Sequence, residues 1–378
     1  MQALFDNISL MIMMTGALVG SAATLVGVFL VLRKNSMLAD AISHSIVFGI
    51  IIVWLLTHEQ SGPAQLIGAA LTGLVTVFLT ELLASSRRVK DDAAIGLVFP
   101  ALFSIGVLLI NLYAQDAHID AHTVLLGEIG FIWLKTMTVL GYEIPEALVW
   151  MAVVTLVNAA FVLLFFKELK LTTFDPGLAK ALGFAPTALF YGLLMLTSTT
   201  AVAAFDAVGA ILFIAFVIIP PSTAYLLTDR LGPMILIGLL IATASSVIGY
   251  HAAVVLDVSI GGMMALTTGG FLLAAFLFGP RYGLLVNQIR RWSDRYANES
   301  RALAVHLYHH EGRPECNEES ARIALQSHLN WTRKKADDVV RRSLASNLVR
   351  QNGDNLELTE KGRTLAQQLL EPWRLSEN

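Results

Sequence analysis

Cysteine is almost missing from this 378-residue chain, and the single Cys316 excludes an internal disulfide framework and suits a soluble end in a reducing compartment. Charge is also scarce, at 15% of residues against 55% apolar ones. No Gly-rich loop followed by Lys and Ser/Thr occurs, so there is no P-loop cradle for phosphates and any ATP hydrolysis must come from another polypeptide. The first apolar run has no basic stretch before it and no small-residue cleavage pattern after it; residues 10–32 are therefore read as a retained span.

What charge there is lies unevenly. Residues 1–286 hold 11 Lys plus Arg and 16 Asp plus Glu, with repeated apolar runs near the ~20 residues that cross hydrocarbon. Residues 287–378 hold 15 and 13, and no such run. The expected organisation is a transmembrane domain over 1–286 and a soluble domain over 287–378. Apolar runs at about 10–32, 37–57, 63–85, 93–114, 146–166, 187–205, 208–228, 233–255 and 262–280 give eight or nine spans. The count turns on residues 187–228, which interrupt their apolar pattern at Asp206 and read either as two full spans or as one span and a broken helix. Residues 123–134 are a further stretch able to dip into the membrane.

Basic residues are scarce on one side of this arrangement. With the amino terminus outside, the inner loops collect Arg33, Lys34, Arg87, Arg88, Lys90, Lys167, Lys170, Lys180, Arg230 and Arg281, and only Lys135 is left outside. That bias puts the soluble domain in the cytoplasm of a cell whose inner (plasma) membrane the chain crosses several times.

Two polar residues stand out against the apolar background. Asp40 and His44, in Asp-Ala-Ile-Ser-His, lie four apart and share one helix face, and a membrane segment seldom carries such groups for packing. One hard oxygen donor and one borderline nitrogen donor suit Mn, Fe or Zn better than Na or K. Two ligands are few, which suits a transit site that must release its ion; two copies facing an axis would supply four. The plainer reading makes Asp40 a helix cap and His44 a donor to a backbone carbonyl. A second cluster, Asp116, His118, Asp120 and His122, alternates polar and apolar residues and is a candidate outer collecting point for metal, although a solvated loop accounts for it more simply. In the inner loop 173–184, Asp175 can cap a short helix with Pro176 at its first position and Ala179 within it, and Gly183 can end it. Such a helix is a rigid handle for a cytoplasmic partner.

Several stretches together resemble the permease subunits of ABC importers for manganese, zinc and iron: Val28-Phe-Leu-Val-Leu-Arg33 with Met37-Leu-Ala-Asp40-Ala-Ile-Ser-His44, Lys90-Asp-Asp-Ala-Ala-Ile-Gly96, Phe174-Asp-Pro-Gly-Leu-Ala179-Lys-Ala-Leu-Gly183, Ala207-Val-Gly-Ala-Ile-Leu212, and Ile219-Pro-Pro-Ser-Thr-Ala224-Tyr-Leu-Leu-Thr-Asp229. The chain departs from that pattern at Phe48, where Pro is common, and at Leu126, where Phe is common. The resemblance implies an all-α polytopic permease that is not itself an enzyme. It implies Asp40 and His44 along the cation path, and residues 175–183 docked on ATPase subunits. Its further partners would be a second permease copy or paralogue and an extracytoplasmic metal-binding protein. No covalent cofactor is expected, and the metal, manganese before zinc or iron on ligand hardness and on the tail, is cargo.

The tail has its own pattern. A basic amphipathic helix over 287–310 leads to a turn at Gly312-Arg-Pro314, and helical stretches follow at 318–328 and 332–346, the second with Arg333, Lys334, Lys335, Arg341 and Arg342. A hairpin with an Asn352-Gly353 turn comes next, and Thr359 caps a last helix expected to stop at Pro372. This is the order of a winged helix-turn-helix, and Leu356-Glu-Leu-Thr-Glu-Lys-Gly-Arg363 resembles metal-responsive repressors of the diphtheria-toxin-repressor type. The near balance of 15 basic and 13 acidic residues favours a regulatory or docking module over a reader of nucleic acid. The alternative to a transporter is a membrane-anchored, metal-responsive transcription regulator.

Overall fold

In a computed structural model, residues 7–58, 63–86, 88–114, 129–139, 142–313, 320–321 and 324–374 are described. The chain divides into two compact units, Met1–Gly283 and Leu284–Asn378.

The first unit is helical. Its helices are α1 (Ile8–Leu32), α2 (Ser36–Thr57), α3 (Pro63–Ser85), α4 (Asp91–Tyr113), α5 (Glu146–Leu164), α6 (Phe166–Phe174), α7 (Pro176–Ala181), α8 (Pro186–Leu227), α9 (Leu231–Leu256) and α10 (Ile260–Phe278). Among the described residues eight helical stretches are long and apolar enough to cross a membrane, and α3 adds a shorter apolar stretch, Ala70–Ser85. Two of the eight, Pro186–Phe205 and Ala207–Leu227, lie within α8, and the backbone leaves helical geometry at Gly209, near the start of the second (φ 74°, ψ 169°). Glycine reaches that conformation without a Cβ clash. The chain turns back there. Phe190, early in α8, lies 5.1 Å from the Arg33 guanidinium, and Val217 and Pro221, late in α8, abut Gly27, so both halves of α8 reach the same end of α1. Residues 187–228 are therefore two antiparallel spans and not one span with a break.

α1 is the axis of the unit. Val19, Ala22, Ala23, Val26, Val28, Phe29 and Leu30 are buried, with Phe213, Phe216 and Val217 of α8 and Ala242 of α9 in the same core. Outward faces carry Leu71, Phe78 and Leu82 of α3 and Leu97, Ile105, Leu108 and Leu112 of α4, all more than half exposed except Ile105, the pattern of a surface meeting lipid or another apolar partner. Some of the polar groups inside pair between helices. Asn158 Nδ2 donates to the Ala22 carbonyl (3.1 Å) and to Thr200 Oγ1 (2.8 Å), and the hydroxyls of Ser45 and Thr76 lie 2.7 Å apart.

Between α4 and α5, the described residues 129–134 form a 3₁₀ turn whose Ile129 and Ile132 are buried in the same core. An antiparallel hairpin follows, β1 (Thr136–Val139) with β2 (Tyr142–Pro145).

The second unit contains α11 (Leu284–His310), α12 (Ala324–His328), α13 (Arg333–Ala345), β3 (Val349–Asn352), β4 (Asn355–Leu358) and α14 (Glu360–Arg374) around a core of Leu303, Leu307, Leu325, Trp331, Val339, Val340, Val349 and Leu356. Three boundaries differ from the sequence reading. Ala321, inside the stretch 318–328 expected to be helical, instead pairs with Asn355 in an isolated bridge, and α12 is described from Ala324. Asn352 pairs with Asn355, which leaves Gly353-Asp354 as the two-residue loop; Gly353 has φ 62°, the first central position that a type II′ turn gives to glycine. α14 continues past Pro372 to Arg374. Its capping follows the sequence reading, with the Gly362 amide donating to Thr359 Oγ1 at 3.1 Å. On the hairpin, Glu357 accepts from Asn352 Nδ2 (2.7 Å) and Arg350 Nε (2.8 Å), and these bonds hold its carboxyl below the usual carboxylate range.

Candidate functional site

α1 closes on a left-handed residue. Lys34 has φ 60°, its amide donates to the Val31 carbonyl (3.0 Å), and the Asn35 amide reaches back to Leu30 (2.9 Å), the bond pair of a Schellman cap. Two residues later α2 begins, so it is held rigidly against the end of α1. Asp40 and His44 lie in its first turns, about 6 and 12 Å along the axis from Ser36 at ~1.5 Å per residue.

Asp40 does not cap α2. The N-cap position is Asn35, and Asp40 is inside the helix. His44 Nε2 faces Asp40 Oδ1 at 3.5 Å, and each side chain is about one-third exposed (31% and 32%). Two donors bound to one ion at ~2.1 Å in tetrahedral geometry stand about 3.4 Å apart, close to this spacing, which is also that of an i,i+4 His–Asp ion pair. The imidazole is held from α4, stacked on Phe99 (centroids 5.6 Å, planes 29° apart) with Phe103 at its edge (6.4 Å). α2 runs unbroken through Phe48, and α4 comes close there at Gly106, where an added Cβ would meet the Phe48 amide nitrogen at 2.8 Å. The buried side of α2, with Leu38, Ala41, Ile42, Ser45 and Ile46, packs into the core and leaves Asp40 and His44 on the accessible side. No group of three or more His, Cys, Asp or Glu able to hold a metal occurs among the described residues, and Asp40 and His44 stand as a pair. Asp116, His118, Asp120 and His122 lie outside the described residues, as do Leu126 and Cys316.

The inner-loop helix has the geometry its sequence suggests. Asp175 Oδ1 accepts from the Leu178 amide (2.9 Å), and Pro176 opens α7. At its end Gly183 has φ 86°; its amide donates to Lys180 (3.1 Å) and that of Phe184 to Ala179 (3.0 Å), again a Schellman cap. Ala179 is fully buried, whereas Phe174, Leu178 and Leu182, four residues apart, are 59%, 48% and 61% exposed. The capped helix thus exposes Leu178 and, at its C-cap, Leu182, next to the exposed Phe174 that ends α6.

In the sequence Arg33 counts only as an inner-loop charge and as the end of one resemblance stretch, with no role of its own. Its Nε donates to Thr173 Oγ1 (3.3 Å), its Nη2 donates to Thr172 Oγ1 (3.0 Å), and its guanidinium lies over the Phe190 ring at 5.1 Å. Nothing in the sequence signals partners about 140 positions away.

Comparison with known proteins places this arrangement. Residues 6–279 match the ABC 3 transport family. The chain is 41% identical over 360 residues to the zinc transport system membrane protein TroD of Treponema pallidum (strain Nichols), covering 95% of this chain and 98% of that protein, so the likeness extends into the second unit. It is 45% identical over 280 residues to the manganese transport system membrane protein MntD of Bacillus subtilis (strain 168), covering 74% of this chain and 95% of that one. Among solved structures it resembles PsaBC from Streptococcus pneumoniae in complex with Fab, with a TM-score of 0.63 and 28% identity over 74% of this chain and 95% of that one.

Proposed function

As a member of the ABC 3 transport family, this chain is the membrane permease of a metal-transporting ABC importer, and we propose that divalent metal crosses it past Asp40 and His44. The observation that carries this reading is the pair itself: two metal-type donors 3.5 Å apart, a third exposed, on a helix whose other face is core. A second permease copy or paralogue opposing its own pair would complete four ligands. The mixed oxygen and nitrogen set suits manganese, zinc and iron alike; the hardness of the carboxylate and the tail's resemblance put manganese first.

ATP hydrolysis resides in partner ATPase subunits, which bind α7 through Leu178, Leu182 and Phe174. An extracytoplasmic binding protein hands over the metal, which the pair holds transiently and releases inward when ATPase closure moves α7, in an alternating-access cycle. The positive-inside bias sets the amino terminus outside and residues 284–378 in the cytoplasm. The measurement is metal uptake into proteoliposomes. Uptake is expected only when this chain is reconstituted with its ATPase and supplied with ATP. ATP-independent uptake by the chain alone would make it a secondary transporter.

The second unit is read as a winged helix-turn-helix, with α12 and α13 as the helix pair and β3–β4 as the wing, acting as a regulatory or docking module. Several of its basic residues are already engaged by carboxylates: Lys335 with Glu299 (3.0 Å), Arg350 with Glu357 (2.7 Å), Arg341 with Asp338 (2.5 Å) and Arg363 with Glu311 (2.5 Å). A phosphate backbone would have to displace those partners. Fluorescence anisotropy of the full chain in detergent with promoter DNA is expected to give weak, sequence-independent binding. Tight, sequence-selective and salt-dependent binding would favour the membrane-anchored regulator instead.

A further inference from the structure

Arg33 is placed unlike an ordinary positive-inside residue. It is half-buried, and its described partners are two threonine hydroxyls and an aromatic face, with no carboxylate among them. Burial pushes its guanidinium down from the ordinary value, yet arginine stays charged throughout the accessible pH range. Its base is fixed by the cap that ends α1. Its partners lie on both approaches to α7. Thr172 and Thr173 lie just before the last residue of α6, three and two positions before Asp175, and Phe190 is in the first turns of α8, seven positions beyond Gly183. On its own strand of chain, Arg33 stands seven residues before Asp40, across a two-residue link.

We infer that Arg33 is a positioning residue that clamps the two ends of the α7 segment to the α1–α2 corner, so that a displacement of α7 reaches the Asp40–His44 helix as one movement. Without the clamp, the loops flanking α7 would absorb it. A planar fork with two donors and a stackable face can hold two hydroxyls and a ring at once, and a lysine ammonium cannot. The inference rests on reading α7 as the ATPase contact and Asp40–His44 as the metal path.

The test uses the complete importer in proteoliposomes, recording ATP hydrolysis and metal uptake together with the yield of assembled complex. Arg33→Lys keeps the charge that membrane insertion needs, and Thr172→Val/Thr173→Val removes the two hydroxyls at nearly constant volume. Both are expected to assemble normally, to hydrolyse ATP within about twofold of the unmodified complex, and to move about tenfold less metal per ATP. Unchanged metal per ATP in both variants would overturn the inference. So would a parallel fall in hydrolysis, uptake and complex yield, which marks a residue needed only for stability. Leu178→Asp/Leu182→Asp separates the two levels. If that variant no longer holds the ATPase while Arg33→Lys still couples fully, the clamp alone fails. If it binds the ATPase normally, the reading of α7 fails and takes this route with it.

Discussion

Replacing Asp40 and His44 together with alanine is expected to lower ATP-driven metal uptake about a hundredfold or more while the permease still assembles with its partners. The magnitude follows from ligand arithmetic. Loss of groups that merely orient ligands costs about 10–100-fold, and here the ligands themselves go, twice over if two copies face each other. Asp40 and His44 are each about a third exposed and contribute no buried core, so folding has little stake in them. His44 does stack on Phe99, and the alanine variant leaves that ring uncovered. Asp40→Asn is the cleaner companion, since it keeps shape and the helix but removes the anionic donor. It should transport poorly with an unchanged melting temperature. Near-normal uptake by the double variant would remove the pair from the path.

Placing aspartate at both Leu178 and Leu182 is expected to release the ATPase. Leu178 in α7, Leu182 at its C-cap and Phe174 at the end of α6 are exposed apolar side chains around a helix capped at both ends, with Ala179 turned inward. Truncating or charging a central interface anchor typically costs about 2–4 kcal/mol, so two together should weaken association more than a hundredfold. Co-purification of the complex reads this directly, and hydrolysis stimulated by the permease should vanish with it. These side chains are exposed already, so the permease itself should keep its yield and melting temperature. Retained association would mean that they face lipid headgroups, and that the ATPase grips another loop.

The sequence made these two sites legible for different reasons. Asp40 and His44 stand out because hydrocarbon penalises them and because four-residue spacing sets them on one face. α7 is legible because Asp175, Pro176 and Gly183 each carry a local backbone meaning, independent of what surrounds them. Hydropathy likewise marks the spans, but it cannot separate a hairpin from a bent helix at Asp206; that needed the positive φ of Gly209 and the contacts of Phe190 and Pro221 with α1. Arg33 was hidden in a charge count. Its hydroxyl partners follow from how α1, α6 and α8 pack, and no periodicity encodes that. In the second unit the start of α12 was misjudged because the bridge between Ala321 and Asn355 is a long-range pairing with no local sign.

The pair's contact with metal can be observed without relying on transport. Electron spin-echo spectroscopy of manganese(II) bound to the assembled importer detects the nitrogen of a ligated imidazole. The unmodified complex should give that nitrogen modulation, and His44→Ala should lose it while Asp40→Asn weakens manganese binding. Identical modulation and affinity in all three would mean that manganese is held elsewhere and that Asp40 and His44 are not its ligands.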